Sequence, residues 1–289
     1  MQKKVPSFSA LIPRNPADRT KETFLVFSQD IPSDNLGFID STAFSIDVAI
    51  GSHDFTINQS PGLLRSNAEA GTTGAVLWKV TPLVAAWLID KGNIFWKESI
   101  LTDAATVLEL GCGISGLIGL SMAPFLSKYI LTDQHYVMKI LRHNVAANQP
   151  SSTVARSNRK AVADVALDSR LEILTLDWET DSAINVRNAL GGRQSVNMLV
   201  ACDCIYNDFL IKPFVGTCAD LCKKRSPVGK VPVLLVAQQL RSEEIFEEWL
   251  QATMQLFHVW RVPNDSLNKE LQDGSGYTLH LAILIDQKT

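Results

Sequence analysis

Residues 107–116 read Val-Leu-Glu-Leu-Gly-Cys-Gly-Ile-Ser-Gly, a Gly-x-Gly-x-x-Gly turn that follows an apolar run of strand character and opens a segment of helical character. Glycines at this spacing allow a tight turn and a close approach of backbone to a ligand, which is how α/β proteins hold nucleotide-like cofactors. A glycine-rich strand end also serves plain packing, so the surrounding pattern has to decide. From about residue 105 that pattern is short apolar runs separated by helical segments, as in a parallel sheet flanked by helices. Seven strands are predicted, at 106–110, 129–132, 171–176, 196–201, 231–236, 256–261 and 277–285, with helices at 116–126, 136–148, 209–223 and 242–254. Only the polar stretch 263–276 separates the last two strands, so they are expected to pair antiparallel at one side of the sheet.

The expected fold class is therefore α/β, a Rossmann-like, doubly wound, seven-stranded and mostly parallel sheet with its last strand antiparallel, plus an N-terminal β-hairpin extension. The first 75 residues hold Pro6, Pro13, Pro16, Pro32 and Pro61 and few helix-forming runs, and read as irregular and partly stranded. Within them Phe44, Ile46 and Val48 alternate with polar or small residues, as do Phe55 and Ile57 after Gly51, which predicts the hairpin. Val80, Leu83, Val84, Trp87 and Leu88 have helical spacing and end at Lys91-Gly92. The expected division is 1–75 for the extension and 76–289 for the main domain.

Composition narrows the setting. The chain of 289 residues has a formal net charge of −3, 46% hydrophobic and 20% charged residues, which excludes collagen-like, disordered and strongly basic classes. No global electrostatic argument favours nucleic acid, although Arg156, Arg159 and Lys160 form a local basic patch. The five cysteines are odd in number and sit mostly in apolar surroundings, which predicts a reducing compartment. With neither a signal peptide nor a long apolar run in the sequence, the expectation is a monomeric cytoplasmic or nuclear protein with no membrane partner.

Acids cluster near the predicted turn. Asp133 ends the next strand, 22 positions beyond Gly111, where a carboxylate can accept both hydroxyls of a ribose or cap the following helix. Glu109 lies two residues before Gly111. A carboxylate there would repel a pyrophosphate such as that of NAD but suits S-adenosylmethionine, which carries an ammonium and a sulfonium cation. The alternative is an acid turned away and satisfied by backbone amides. Asp177 and Trp178 end the third strand, where an acid and an indole could border an adenine, or the indole could simply be core.

With Thr73-Gly74-Ala75-Val76-Leu77-Trp78 before the domain, the Glu109-x-Gly111-x-Gly113 loop, and Asp203-Cys204-Ile205-Tyr206 after the fourth strand, the chain resembles the class I, seven-β-strand S-adenosylmethionine-dependent methyltransferases, in the protein-lysine branch. Gly71 to Trp78, Leu131-Thr132-Asp133-Gln134, Leu176-Asp177-Trp178-Glu179 and Ala201 to Asn207 are most similar to fungal ribosomal-protein lysine methyltransferases. The resemblance spans roughly residues 70 to 285. It implies that Trp78, Gly111, Cys112, Gly113, Asp133, Trp178 and Ala201 border the cofactor, with Glu109 and Asp177 as supporting acids. It also implies a protein substrate, with a large-subunit ribosomal protein as one candidate.

Methylation of lysine requires a neutral amine, and at a pKa of about 10.4 only about one lysine in two thousand is neutral near pH 7. Asp203 and Tyr206 are the expected catalytic residues, the acid orienting the amine or helping to remove its proton and the ring or hydroxyl shaping the channel. A strand-end cap plus a packed aromatic is the bland reading of the same pair. Methylation of adenine amines typically uses Asp/Asn-Pro-Pro-Tyr/Phe at this strand end, and here Cys204 and Ile205 replace the prolines. Nucleic-acid methylation therefore ranks second, a NAD-dependent oxidoreductase third and a non-catalytic scaffold fourth. Cys202-x-Cys204 and Cys218-x-x-x-Cys222 lack zinc spacing and read as core thiols, so no metal is expected.

Overall fold

The computed structural model describes residues 19–32, 37–65, 72–149, 169–183, 186, 188, 195–223 and 231–285. The basic patch at Arg156, Arg159 and Lys160 lies outside the described residues.

The structure corrects the expectation that the first 75 residues hold little helix: Arg19–Phe27 forms α1. Its sequence, RTKETFLVF, carries only a weak apolar stripe, and tertiary burial of Glu22, Thr23 and Val26 supplies what propensity does not. Glu22 lies 3.1 Å from both the His280 Nε2 and the Arg261 Nε. The predicted hairpin is present, with β1 (Ser45–Ile50) antiparallel to β2 (His53–Asn58).

Two short helices, α2 (Pro61–Leu64) and α4 (Ile94–Lys97), bracket the apolar helix α3 (Val80–Ile89). The main domain then runs β3 (Thr106–Leu110), α5 (Leu117–Met122), β4 (Lys128–Asp133), α6 (Met138–Asn148), β5 (Leu171–Thr175), β6 (Met198–Cys202) and α7 (Asp208–Cys222). It ends with β7 (Val233–Gln239), α8 (Glu243–Leu256), β8 (Phe257–Arg261) and β9 (Tyr277–Leu284). Among the described residues no helix is long and apolar enough to cross a membrane.

The seven strands lie in the order β5-β4-β3-β6-β7-β9-β8, parallel from β5 to β7, with β9 antiparallel to both of its neighbours. The last two strands pair antiparallel at one side of the sheet as expected, with β9 between β7 and the edge strand β8. Burial explains the arrangement. Residues 278–283 of β9 are buried without interruption, which suits an interior strand, whereas β8 exposes His258 and suits the edge.

Residues alternate between two faces. Val107, Tyr129, Leu131 and Val200 pack under the hairpin, α3, α5 and α6, whereas Leu108, Ile130, Leu199 and Ala201 pack under α1, α7 and α8. Fully buried side chains such as Phe95 and Leu101 each contribute on the order of 1.5–3 kcal/mol by leaving water. Chain order reverses between β3 and β6, and such a switch point opens a crevice at the carboxyl ends of the strands. Those ends carry Gly111, Asp133, Asp177 and Asp203.

Candidate active site

The turn after β3 is built on backbone that side chains resist. Gly111 and Gly113 have φ values of 67° and 62°. A Cβ on Gly111 would stand 2.7 Å from the Cys204 Sγ and 3.2 Å from the Trp178 ring, and one on Gly113 would stand 3.2 Å from the Gly74 carbonyl oxygen. The Cys112 N–H donates to the Thr132 carbonyl at 3.1 Å, tying the turn to β4.

Asp133 completes that connection. Its Oδ2 accepts the Gly113 N–H at 2.7 Å and its Oδ1 accepts the Gln134 N–H at 2.7 Å, so the carboxylate shapes the turn as well as facing the crevice. Burial pushes its pKa up to about 6 against the pull of those two hydrogen bonds. Glu109 is 1% exposed and accepts the Tyr129 hydroxyl at 2.9 Å, so its partner is a phenol and not backbone amides. Burial raises it to about 8, opposed by the Tyr129 hydrogen bond, with Asp133 adding a further upward push. Two raised carboxyls beside one crevice mark a place short of positive charge.

The segment Thr73 to Trp78 crosses over the turn. The Gly74 carbonyl accepts the Ile114 N–H at 2.9 Å, the Gly74 N–H donates to the Tyr136 hydroxyl at 3.2 Å, and the Trp78 Nε1 donates to the Thr73 carbonyl at 3.1 Å. The Trp78 ring lies 4.5 Å from Phe38 and 4.9 Å from the Arg241 guanidinium. At the end of β5, Asp177 accepts the Glu179 N–H at 2.9 Å and the Gln134 Nε2 at 3.2 Å. Trp178 meets Phe214 edge to face at 5.1 Å, and its buried Nε1 has no hydrogen-bond partner among the described residues.

Asp203, just beyond β6, is 6% exposed and has a φ of 57°. Arg241 grips its carboxylate through both terminal nitrogens, Nη1 to Oδ1 at 2.7 Å and Nη2 to Oδ2 at 2.5 Å. Tyr206 is 37% exposed. Burial raises its hydroxyl pKa, while a hydrogen bond with Thr73 acts the other way.

Ten of the eleven residues singled out from the sequence line one open cavity of about 1160 Å³ of atom-free space, counted to its solvent-filled mouth: Trp78, Glu109, Gly111, Cys112, Gly113, Asp133, Asp177, Trp178, Asp203 and Tyr206. Ala201 is absent from that lining. It is fully buried in β6 on the α7 side of the sheet, and Cys202 reaches the cavity instead. Sequence reasoning missed Gly74 as a wall of the turn, Tyr136 and Gln134 as partners, and Phe209, which is 78% exposed at the mouth. Gly74 was already in the Thr73 to Trp78 motif. Arg241 left no local signal, standing 38 positions from Asp203.

A family model described as lysine methyltransferase matches residues 57–253. The chain is 31% identical over 227 residues to a protein named ribosomal lysine N-methyltransferase 5 from Zygosaccharomyces rouxii, covering 69% of this chain and 70% of that one. The protein of the same name from Kluyveromyces lactis is 26% identical over 290 residues, with 82% and 88% covered. A protein named diaminohydroxyphosphoribosylamino-pyrimidine deaminase from Schizosaccharomyces pombe is 28% identical over 250 residues. That match takes in 86% of this chain but spans only 54% of the longer protein.

Proposed function

The chain belongs to the lysine methyltransferase family, and from that premise we propose that it is an S-adenosylmethionine-dependent protein-lysine N-methyltransferase acting on a ribosomal protein. The names of the yeast relatives support the ribosomal substrate, and a large-subunit protein met in the cytoplasm is the specific reading. The Schizosaccharomyces pombe name belongs to a protein of which this chain matches about half, so it lends no deaminase reading here.

The observation that carries the proposal is the pair of buried carboxyls, Glu109 and Asp133, beside a turn whose glycines hold left-handed backbone in close contact with Cys204, Trp178 and Gly74. Acids held short of positive charge suit a cationic nucleoside and disfavour a pyrophosphate. Asp133 and Asp177 stand at adjacent strand ends where they can hold hydroxyls and amines of the nucleoside, and Trp178 offers a ring face and a donor without a partner among the described residues. Gly111 and Gly113 let the backbone approach. When bound, S-adenosylmethionine supplies an electrophilic methyl group on a sulfonium that departs as a neutral thioether.

The protein must supply a lysine in its neutral form and in line. Trp78, Asp203 and Tyr206 border the same cavity, so an aliphatic lysine stem can pass between aromatic walls that exclude water while its nitrogen meets the acid. Asp203 orients that nitrogen, and the proton lost from the amine leaves to solvent through the mouth bordered by Phe209.

The test is incubation of the purified protein with methyl-labelled S-adenosylmethionine and dissociated fungal ribosomes, followed by mass spectrometry of the labelled products. The expected result is label on a lysine of one ribosomal protein. Label confined to RNA would overturn the proposal.

A further inference from the structure

We propose that Arg241 is a positioning residue for methyl transfer, one that turns Asp203 from a counter-ion for an ammonium into a hydrogen-bond acceptor for a neutral amine. The inference rests on the reading of the cavity as a lysine methyltransferase site.

Asp203 is held from several sides. Its N–H donates to the Ala237 carbonyl at 2.7 Å, its Oδ1 accepts the Gln239 N–H at 3.2 Å, and Arg241 supplies both bonds of the fork. With a φ of 57° Asp203 sits in the left-handed region, where a non-glycine residue is held by its surroundings. Here the surroundings are β7 and the residue two positions beyond its end, so the aspartate's place depends on Arg241. The guanidinium is itself fixed, with Nη2 donating to the Gln239 Oε1 at 2.9 Å and its plane lying 4.9 Å from the Trp78 ring. One side chain therefore sets two walls of the cavity.

The bonds also limit what the carboxylate can do. A carboxylate offers about four acceptor positions. Among the described residues Gln239 and Arg241 use three of them, two on Oδ1 and one on Oδ2, which leaves one on Oδ2 for an incoming N–H. An unpaired buried carboxylate within reach of an amine would favour the ammonium by about 1–3 pKa units, and an ammonium has no lone pair with which to attack. Arg241 cancels that bias while leaving the acceptor position open. Lysine at 241 could supply charge but not the planar two-pronged grip.

The test compares wild type with Arg241→Gln, Arg241→Lys, Asp203→Asn and the Asp203→Asn/Arg241→Gln double variant. Readouts are the pH profile of kcat on ribosomal proteins, S-adenosylhomocysteine affinity by calorimetry and the thermal midpoint. In Arg241→Gln the acid limb of kcat should move up by about one unit, so that a loss of about tenfold at neutral pH shrinks in alkaline buffer. S-adenosylhomocysteine affinity should stay near wild type. The double variant should show no shift of the limb, and Arg241→Lys should recover part of the rate. On thermal midpoint the two single losses should be non-additive, a sign of the pair that holds whatever the activity.

A loss in Arg241→Gln that is equal at every pH, or that is matched by a fall in S-adenosylhomocysteine affinity, would overturn the proposal. Additive midpoints would overturn the pairing, including for variants too unstable to assay. A wild-type protein that methylates no lysine would instead discard the underlying reading of the site.

Discussion

The backbone N–H of Gly113 donates to the Asp133 carboxylate at 2.7 Å, so the acid at the end of β4 braces the glycine turn at the end of β3. Asp133 therefore acts twice, once on the turn and once on whatever enters the crevice. Asp133→Ala is expected to weaken S-adenosylhomocysteine binding by about ten- to a hundredfold, the worth of a hydrogen bond to a charged group. Titration calorimetry checks this, and an unchanged affinity would remove Asp133 from cofactor binding.

Gly113 and Gly74 meet backbone to backbone, since a Cβ on Gly113 would stand 3.2 Å from the Gly74 oxygen. With a φ of 62°, Gly113→Ala also carries left-handed strain of roughly 1–2 kcal/mol. The expected result is a folded protein with a lowered thermal midpoint and impaired S-adenosylhomocysteine binding. Wild-type binding in a folded variant would show that the strap from Thr73 to Trp78 yields freely.

Glu109 predicts a pH dependence. Burial raises its pKa to about 8 from an ordinary 4.5, so over that interval the folded chain holds a proton that the unfolded chain has released. The stability it contributes is fully present below about 4.5 and is lost as pH rises through about 8, beyond which this group adds no further slope. Glu109→Gln should flatten that decline in unfolding midpoint. A cationic ligand favours the ionised acids, so S-adenosylmethionine binding near neutral pH should release protons. Its calorimetric enthalpy should then differ between phosphate and Tris buffers, and equal enthalpies would count against the role given to Glu109 and Asp133.

Glu22 fastens α1 to the sheet through His280 and Arg261. Burial pushes its carboxyl up, but the hydrogen bond and charge of His280 together with the charge of Arg261 outweigh that and hold it below its ordinary value. The stability it adds is therefore present at neutral pH and lost in acid as pH falls through the lowered pKa. Glu22→Ala takes away the partner of the buried His280 Nε2, while Arg261 keeps Asp273, and should cost about 1–3 kcal/mol in urea unfolding. Hydrogen exchange over residues 19–27 should accelerate selectively, and unchanged exchange there would show that α1 is held by its apolar contacts alone.

The central parallel strands were legible because they are buried on both faces and read as short, mainly apolar runs, as Met198–Cys202 does without a break and Thr106–Leu110 does apart from Thr106 and Glu109. Once those strands are parallel, whatever follows each one falls at the same edge, which is why Gly111, Asp133, Asp177 and Asp203 could be grouped before any distance was known. Ala201 shows the limit of that reasoning. Alternation along β6 sends it to the α7 side and Cys202 to the other, and a motif match does not carry parity. Helix α1 was not legible, because its stability comes from Glu22 and Val26 meeting β8, β9 and α8 and not from its own nine residues.

The sequence by itself determined the strand-and-helix alternation, the glycine turn, the acids around it and the hairpin, because each depends on neighbours within a few positions of chain. Tertiary structure alone decided that β9 lies inside β8, that the Thr73 to Trp78 strap crosses the turn, and that Arg241 grips Asp203. Those relations join segments tens of residues apart and are fixed by which surfaces exclude water together and which buried charges must find a partner, conditions that exist only once the chain has closed on itself.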